Sequence, residues 1–81
     1  MNKSERRELA KCEALAQQID RLPFTDDRRP QLLGILARSM GTLVRAASSH
    51  KAYRELTDAA ERMQVRWHGE FIMVQWTAVE S

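Results

Sequence analysis

The stretch Pro30 to Ala47, PQLLGILARSMGTLVRAA, decides how the chain folds, because it carries more apolar residues than one buried helix face can use. On a helical wheel Leu32, Leu33, Ile35, Leu36, Ala37, Met40, Leu43, Val44, Ala46 and Ala47 spread over an arc of roughly 200°, about twice what an ordinary surface helix needs. Such a helix is expected at the centre of the fold, with other elements covering it. The rest of the wheel holds Gly34, Arg38, Gly41, Thr42 and Arg45. Each glycine costs about 0.5–1 kcal/mol relative to alanine inside a helix. Two of them one heptad apart therefore suggest close approach of another helix, and simple exposure is the competing reading.

Outward from this segment, the flanks read as helices too. A first helix is predicted at about 3–21, with Asn2 as N-cap and Glu5 three residues on in the pattern of a capping box. Leu9, Cys12, Leu15, Ala16, Ile19 and Leu22 form its single apolar stripe. Pro23 ends it, since the residue before a proline is pushed out of helical geometry. The short connection to the central helix makes the two antiparallel neighbours, and Phe24 is placed to staple the turn. Thr25, Asp26 or Asp27 should cap the second helix, at about 27–47, and Pro30 is tolerable only in its first turn.

The stripe Ala52, Tyr53, Leu56, Ala59, Ala60 and Met63 is out of phase with Leu36. A break is therefore expected at Ser48-Ser49, where either serine can cap a third helix at about 49–63. One bent helix is the alternative. After Met63 the apolar period drops to two, and MQVRW-HG-EFIMVQW has the pattern of a two-stranded β-hairpin over about 64–76 with His68-Gly69 at the turn. Val65, Trp67, Ile72, Val74 and Trp76 would face the core, and Phe71 and Met73 would lie on the opposite face with Gln64, Arg66 and Gln75. Residues 77–81 form a frayed tail. The expected fold is thus mainly α within an α+β class: a three-helix core, its first two helices antiparallel, followed by a C-terminal β-hairpin, in one small domain spanning 1–81.

Composition narrows the function more by exclusion than by assignment. Eighty-one residues with 43% hydrophobic and 30% charged side chains indicate a folded chain, near the size at which one core is only just sufficient. No apolar run approaches a membrane span, and the charged N-terminus MNKSERRELAK lacks a secretory signal, so a cytoplasmic location is expected. Cys12 is the only cysteine and sits on the apolar stripe of the first helix, which fits a buried thiol better than a nucleophile. With only His50 and His68 beside it, no zinc-ligand set exists. There is no Ser/His/Asp set, Gly-rich phosphate loop or HExxH motif, so neither a catalytic residue nor a cofactor is expected.

The net charge of +2 is unevenly distributed. Arg28, Arg29, Arg38, Arg45, Lys51 and Arg54 form a stretch of six basic residues with no acidic one between them. Two function classes follow. The preferred one is a non-enzymatic module that binds and modulates another cytoplasmic protein, with an interface at Gly34, Arg38, Gly41, Arg45, Phe71 and Met73, and that forms a homodimer through the second helix. Inhibitor, anti-activator or adaptor, of the kind carried by bacterial or phage accessory genes, is the expected role. The alternative is a winged-helix-like DNA-binding regulator presenting His50, Lys51, Arg54 and Arg66, suggested by the element order and the Ala37-x-x-x-Gly41 spacing. Glu55, Asp58 and Glu61 on the same helix argue against it, because they would meet phosphates with like charge.

Overall fold

The computed structural model describes residues 1–66, and the side chains of residues 1–64. These residues form three helices: α1 (Lys3–Arg21), α2 (Arg28–Arg45) and α3 (His50–Arg66). Among the described residues there is no strand.

Helix α1 begins with the capping box anticipated from Asn2 and Glu5. The Glu5 amide donates to Asn2 Oδ1 at 2.8 Å, and the Asn2 amide donates to Glu5 Oε1 at 2.9 Å. It ends before Pro23, with Leu22 in extended geometry at φ −81° and ψ 141°. The turn into α2 meets expectation in one respect, a cap drawn from Thr25, Asp26 and Asp27, and departs from it in another. Asp27 makes no capping bond; Asp26 does instead, its Oδ1 accepting from the Arg28 amide at 2.8 Å and from Arg28 Nε at 3.0 Å. Phe24 is not an apolar staple, since it is 80% exposed and its ring lies 5.1 Å from the Arg29 guanidinium carbon. Pro30 falls in the first turn of α2, where its missing N–H breaks no helical bond.

Helix α2 is central and packs against both α1 and α3. Leu33, Leu36, Ala37 and Met40 join Cys12, Ala16 and Ile19 of α1 and Ala59 of α3 in one buried cluster. The wide apolar arc is therefore divided between two neighbours, which answers why one face could not account for it. Leu43, on the same apolar arc, is only half-buried and packs at the margin of the cluster, and Ile35 is 43% exposed. Leu56 and Ala52 of α3 are fully buried.

Helices α2 and α3 are separate, as the phase change between their stripes demands. Ser49 caps α3 by accepting the Ala52 amide on its hydroxyl at 3.0 Å. Ser48 has another role. Its amide and hydroxyl donate to the two oxygens of Glu5 at 2.7 and 2.8 Å, tying the start of α1 to the α2–α3 turn across 43 residues. With Arg29 meeting the end of α1 at the other pole, this contact makes α1 and α2 antiparallel.

The hairpin expectation needs correcting where it can be tested. Gln64, Val65 and Arg66, assigned to its first strand, are the last residues of α3. The alternation at Met63 to Trp67 is too short to distinguish a period of two from a helical one. The helical spacing Leu56, Ala59, Ala60, Met63 simply carries on through good helix formers, and an established helix extends at the cost of one residue at a time. The rest of the proposed hairpin, from Trp67 to Trp76, and the tail 77–81 lie outside the described residues.

Both carboxylates at these turns are held below the ordinary carboxylate range. For Glu5 the main cause is the Asn2 amide, followed by the Ser48 amide and hydroxyl. For Asp26 it is the Arg28 side chain and then its amide, which bring the value to about 2 from 3.8. A group whose folded value is depressed adds stability above its unfolded value, and that stability is lost as pH falls through the folded one. The melting temperature should therefore decline on acidification from the ordinary glutamate value, 4.5, down to about 2. Glu5→Gln should lower the midpoint at neutral pH and flatten that decline; parallel pH profiles of the two proteins would show that Glu5 takes no part in it.

Candidate apolar groove between α2 and α3

The facing sides of α2 and α3 leave a groove of about 330 Å³. Ala37, Met40, Gly41, Val44 and Arg45 form one wall, and Tyr53, Thr57, Ala60, Glu61, Met63 and Gln64 form the other. The spacing of each wall is helical, at three or four residues, so the groove is the second half of α2's wide apolar arc, incompletely covered by α3. Small side chains open it. Gly41 and Ala60 are half-buried positions where a larger residue would fill the space.

Two polar features mark the groove. Tyr53, read from sequence as part of the α3 core stripe, is 46% exposed and stacks on His50 with ring centroids 6.5 Å apart and planes 17° from parallel. The hydroxyl oxygen of Thr57 is buried and has no hydrogen-bond partner among the described residues. Such an atom is uncommon, because burying a hydroxyl without a partner costs roughly 1–3 kcal/mol.

The structure brings together only part of the interface expected from sequence. Gly41 and Arg45 line the groove; Gly34 and Arg38 do not, although they share the same α2 stripe. A Cβ placed on Gly34 would meet nothing within 4 Å, so among the described residues this glycine serves no close helix approach. Gly34→Ala should therefore stabilise the domain by about 0.5–1 kcal/mol through helix propensity alone, read as a raised denaturation midpoint. Loss of stability would mean that the Gly34 face is packed against a second molecule. Phe71 and Met73 lie outside the described residues.

Of the alternative nucleic-acid set, His50, Lys51 and Arg54 are exposed on the first turns of α3, with Asp58 and Glu61 exposed further along it. Arg66 is the last residue of α3 rather than a wing residue. Helix α2 runs unbroken through Ala37 and Gly41, so the turn required by a helix-turn-helix reading is absent at that spacing. Burial, reinforced by Glu8 and Glu13, pushes the Cys12 thiol up, away from the thiolate form. Among the described residues no group of three or more His, Cys, Asp or Glu is arranged to hold a metal ion, and no helix is long and apolar enough to cross a membrane.

Ala60 and Met63 read from sequence only as members of a core stripe, and Thr57 carries no assignment there. Their second role comes from the incomplete contact between the two helices, for which the excess width of α2's arc is the available signal. Comparison with family models, with curated proteins and with solved structures finds no match to the chain.

Proposed function

We propose that the chain is a small non-enzymatic interaction module of the cytoplasm, which binds another protein and modulates it by engaging an apolar segment of that partner in the α2–α3 groove. The observation that carries this reading is the groove itself: an apolar trough between two helices, with the small residues Ala37, Gly41 and Ala60 in its lining beside Arg45 and Glu61. Helical pairs commonly receive apolar segments in this way, with apolar anchors giving affinity and flanking charges giving orientation. Arginine outnumbers lysine ten to three in the chain, which suits interfaces because a guanidinium pairs bidentately with a carboxylate.

The test is affinity capture from a lysate of the source cells with nuclease treatment, comparing the parent with Gly41→Gln and with the pair Lys51→Glu and Arg54→Glu. A protein retained through nuclease, lost with Gly41→Gln and kept by the charge-reversed pair supports the reading. Nuclease-sensitive capture that depends on Lys51 and Arg54 and falls steeply with salt would overturn it in favour of nucleic-acid binding. A homodimer formed through α2 belongs to the same proposal, and sedimentation of the parent and Gly34→Ala tests it.

A further inference from the structure

The fold regroups the chain's positive charge in a way that sequence order does not show. The buried Glu5 carboxylate accepts from the Ser48 amide at 2.7 Å and its hydroxyl at 2.8 Å, and the Met1 nitrogen lies 3.9 Å from Glu55. The first turns of α1 and α3 and the last turn of α2 therefore meet at one end of the molecule. That end carries Lys3, Arg6, Arg7, Arg45, Lys51 and Arg54, all exposed. The acids in the same stretches, 1–7 and 45–55, are Glu5, already accepting from Asn2 and Ser48, and half-buried Glu55. Arg28 and Arg29, members of the same basic stretch in sequence, go to the opposite end, where Arg28 pairs with Asp26 at 2.7 Å and Arg29 caps α1. Among the described residues no salt bridge engages Lys3, Arg6, Arg7, Lys51 or Arg54. We propose that this basic end is the docking surface for an acidic segment of the protein whose apolar segment occupies the α2–α3 groove.

This inference rests on the partner-binding reading and adds the partner's chemistry to it. Arg45 and Tyr53 line the groove, and Arg45 also belongs to the basic end, so the trough and the positive surface share a residue. A polypeptide with apolar residues beside a run of Asp or Glu matches both. Four of the six cations are arginines, whose planar guanidinium pairs bidentately with a carboxylate and is weakly hydrated. Their summed field reaches about 8 Å into solvent at physiological salt, enough to steer an acidic segment before the apolar anchors seat. A nucleic acid fits less well. Its phosphates bring no aliphatic side chains to the groove, and Glu61 in the groove lining and exposed Asp58, one turn beyond Arg54, would repel them.

The probe is a fluorescent peptide with leucines at helical spacing beside a run of glutamates, made in both orders. Its controls replace the glutamates by glutamines, the leucines by serines, or the peptide by random duplex DNA. Fluorescence anisotropy at physiological salt should show one order of the acidic peptide bound most tightly. Glutamine replacement, or the variant carrying Arg7→Glu with Lys51→Glu, should weaken binding about tenfold. Arg21→Glu, at the opposite end, should change it by less than about twofold. In the parent, amide chemical shifts should move at 3–7 and 45–54 on titration, which locates the contact without any substitution should a variant unfold. Binding indifferent to the Arg7 and Lys51 reversal, shifts confined elsewhere, or tighter binding of the DNA would each overturn the proposal. Dependence on the leucines but not the glutamates also overturns it, while leaving the groove reading standing. Dependence on the glutamates but not the leucines upholds the basic end and tells against the groove.

Discussion

Leu36→Ala is expected to destabilise the domain by about 2–5 kcal/mol. Leu36 is fully buried and lies in the cluster shared by α1, α2 and α3, so the cavity left behind is walled by three helices that cannot all collapse into it. Domains of this size hold about 5–15 kcal/mol in total, and each kcal/mol moves the thermal midpoint by about 4–8 °C. The same truncation at half-buried Leu43 removes fewer contacts and should cost clearly less. Thermal or denaturant unfolding of the two variants side by side checks both statements. Equal midpoints, or a Leu36→Ala midpoint within a few degrees of the parent, would show that the shared cluster is not the stabilising centre.

The contrast between these two leucines shows where sequence reasoning reaches its limit. Both fall within α2's apolar arc, and periodicity alone ranks them equally. Their burial differs because the neighbouring helices cover Leu36 completely and Leu43 only in part, and the angle between packed helices is set by the sum of many side-chain fits. Signals within one turn of chain were legible in full: the Asn2/Glu5 capping box, the stop before Pro23, and the start of α3 after Ser49. In each case the partner groups are within a few residues, so spacing carries the geometry.

Contacts across the fold were not legible. Glu5 was identified as half of a capping box, but nothing in the spacing showed that its carboxylate also accepts from Ser48, 43 residues away. The groove was half visible. Gly41 and Arg45 stand out by their place on the α2 wheel, whereas Tyr53 and Ala60 read wholly as core and Thr57 carries no signal. The strand at Gln64–Arg66 failed for a different reason. Three alternating residues match either period, and the helix already formed behind them settles the choice.

Arg29→Ala is expected to cost about 1.5–3 kcal/mol, more than a surface arginine would, because Arg29 is a buried cap for another helix. It is only 5% exposed, and its Nη1 donates to the carbonyls of Ile19 at 2.6 Å and Leu22 at 3.0 Å. Helix C-termini leave their last carbonyls without intrahelical donors, and a following residue usually supplies an N–H. Pro23 has no N–H to supply, so the sequence signal that stops α1 also removes a natural donor at its end. The guanidinium fills that role and places positive charge at the negative end of the α1 dipole, with the Phe24 ring beside it. Stability should therefore rank parent, then Arg29→Lys, then Arg29→Met and Arg29→Ala. Lysine keeps the charge but loses the planar fork, and methionine keeps only the apolar stem. Denaturant midpoints give the ranking, and hydrogen exchange should show the last turn of α1 opening more readily in the methionine and alanine variants. If Arg29→Met matches the parent in both measurements, the two carbonyl contacts contribute nothing and α1 is held by its apolar face alone.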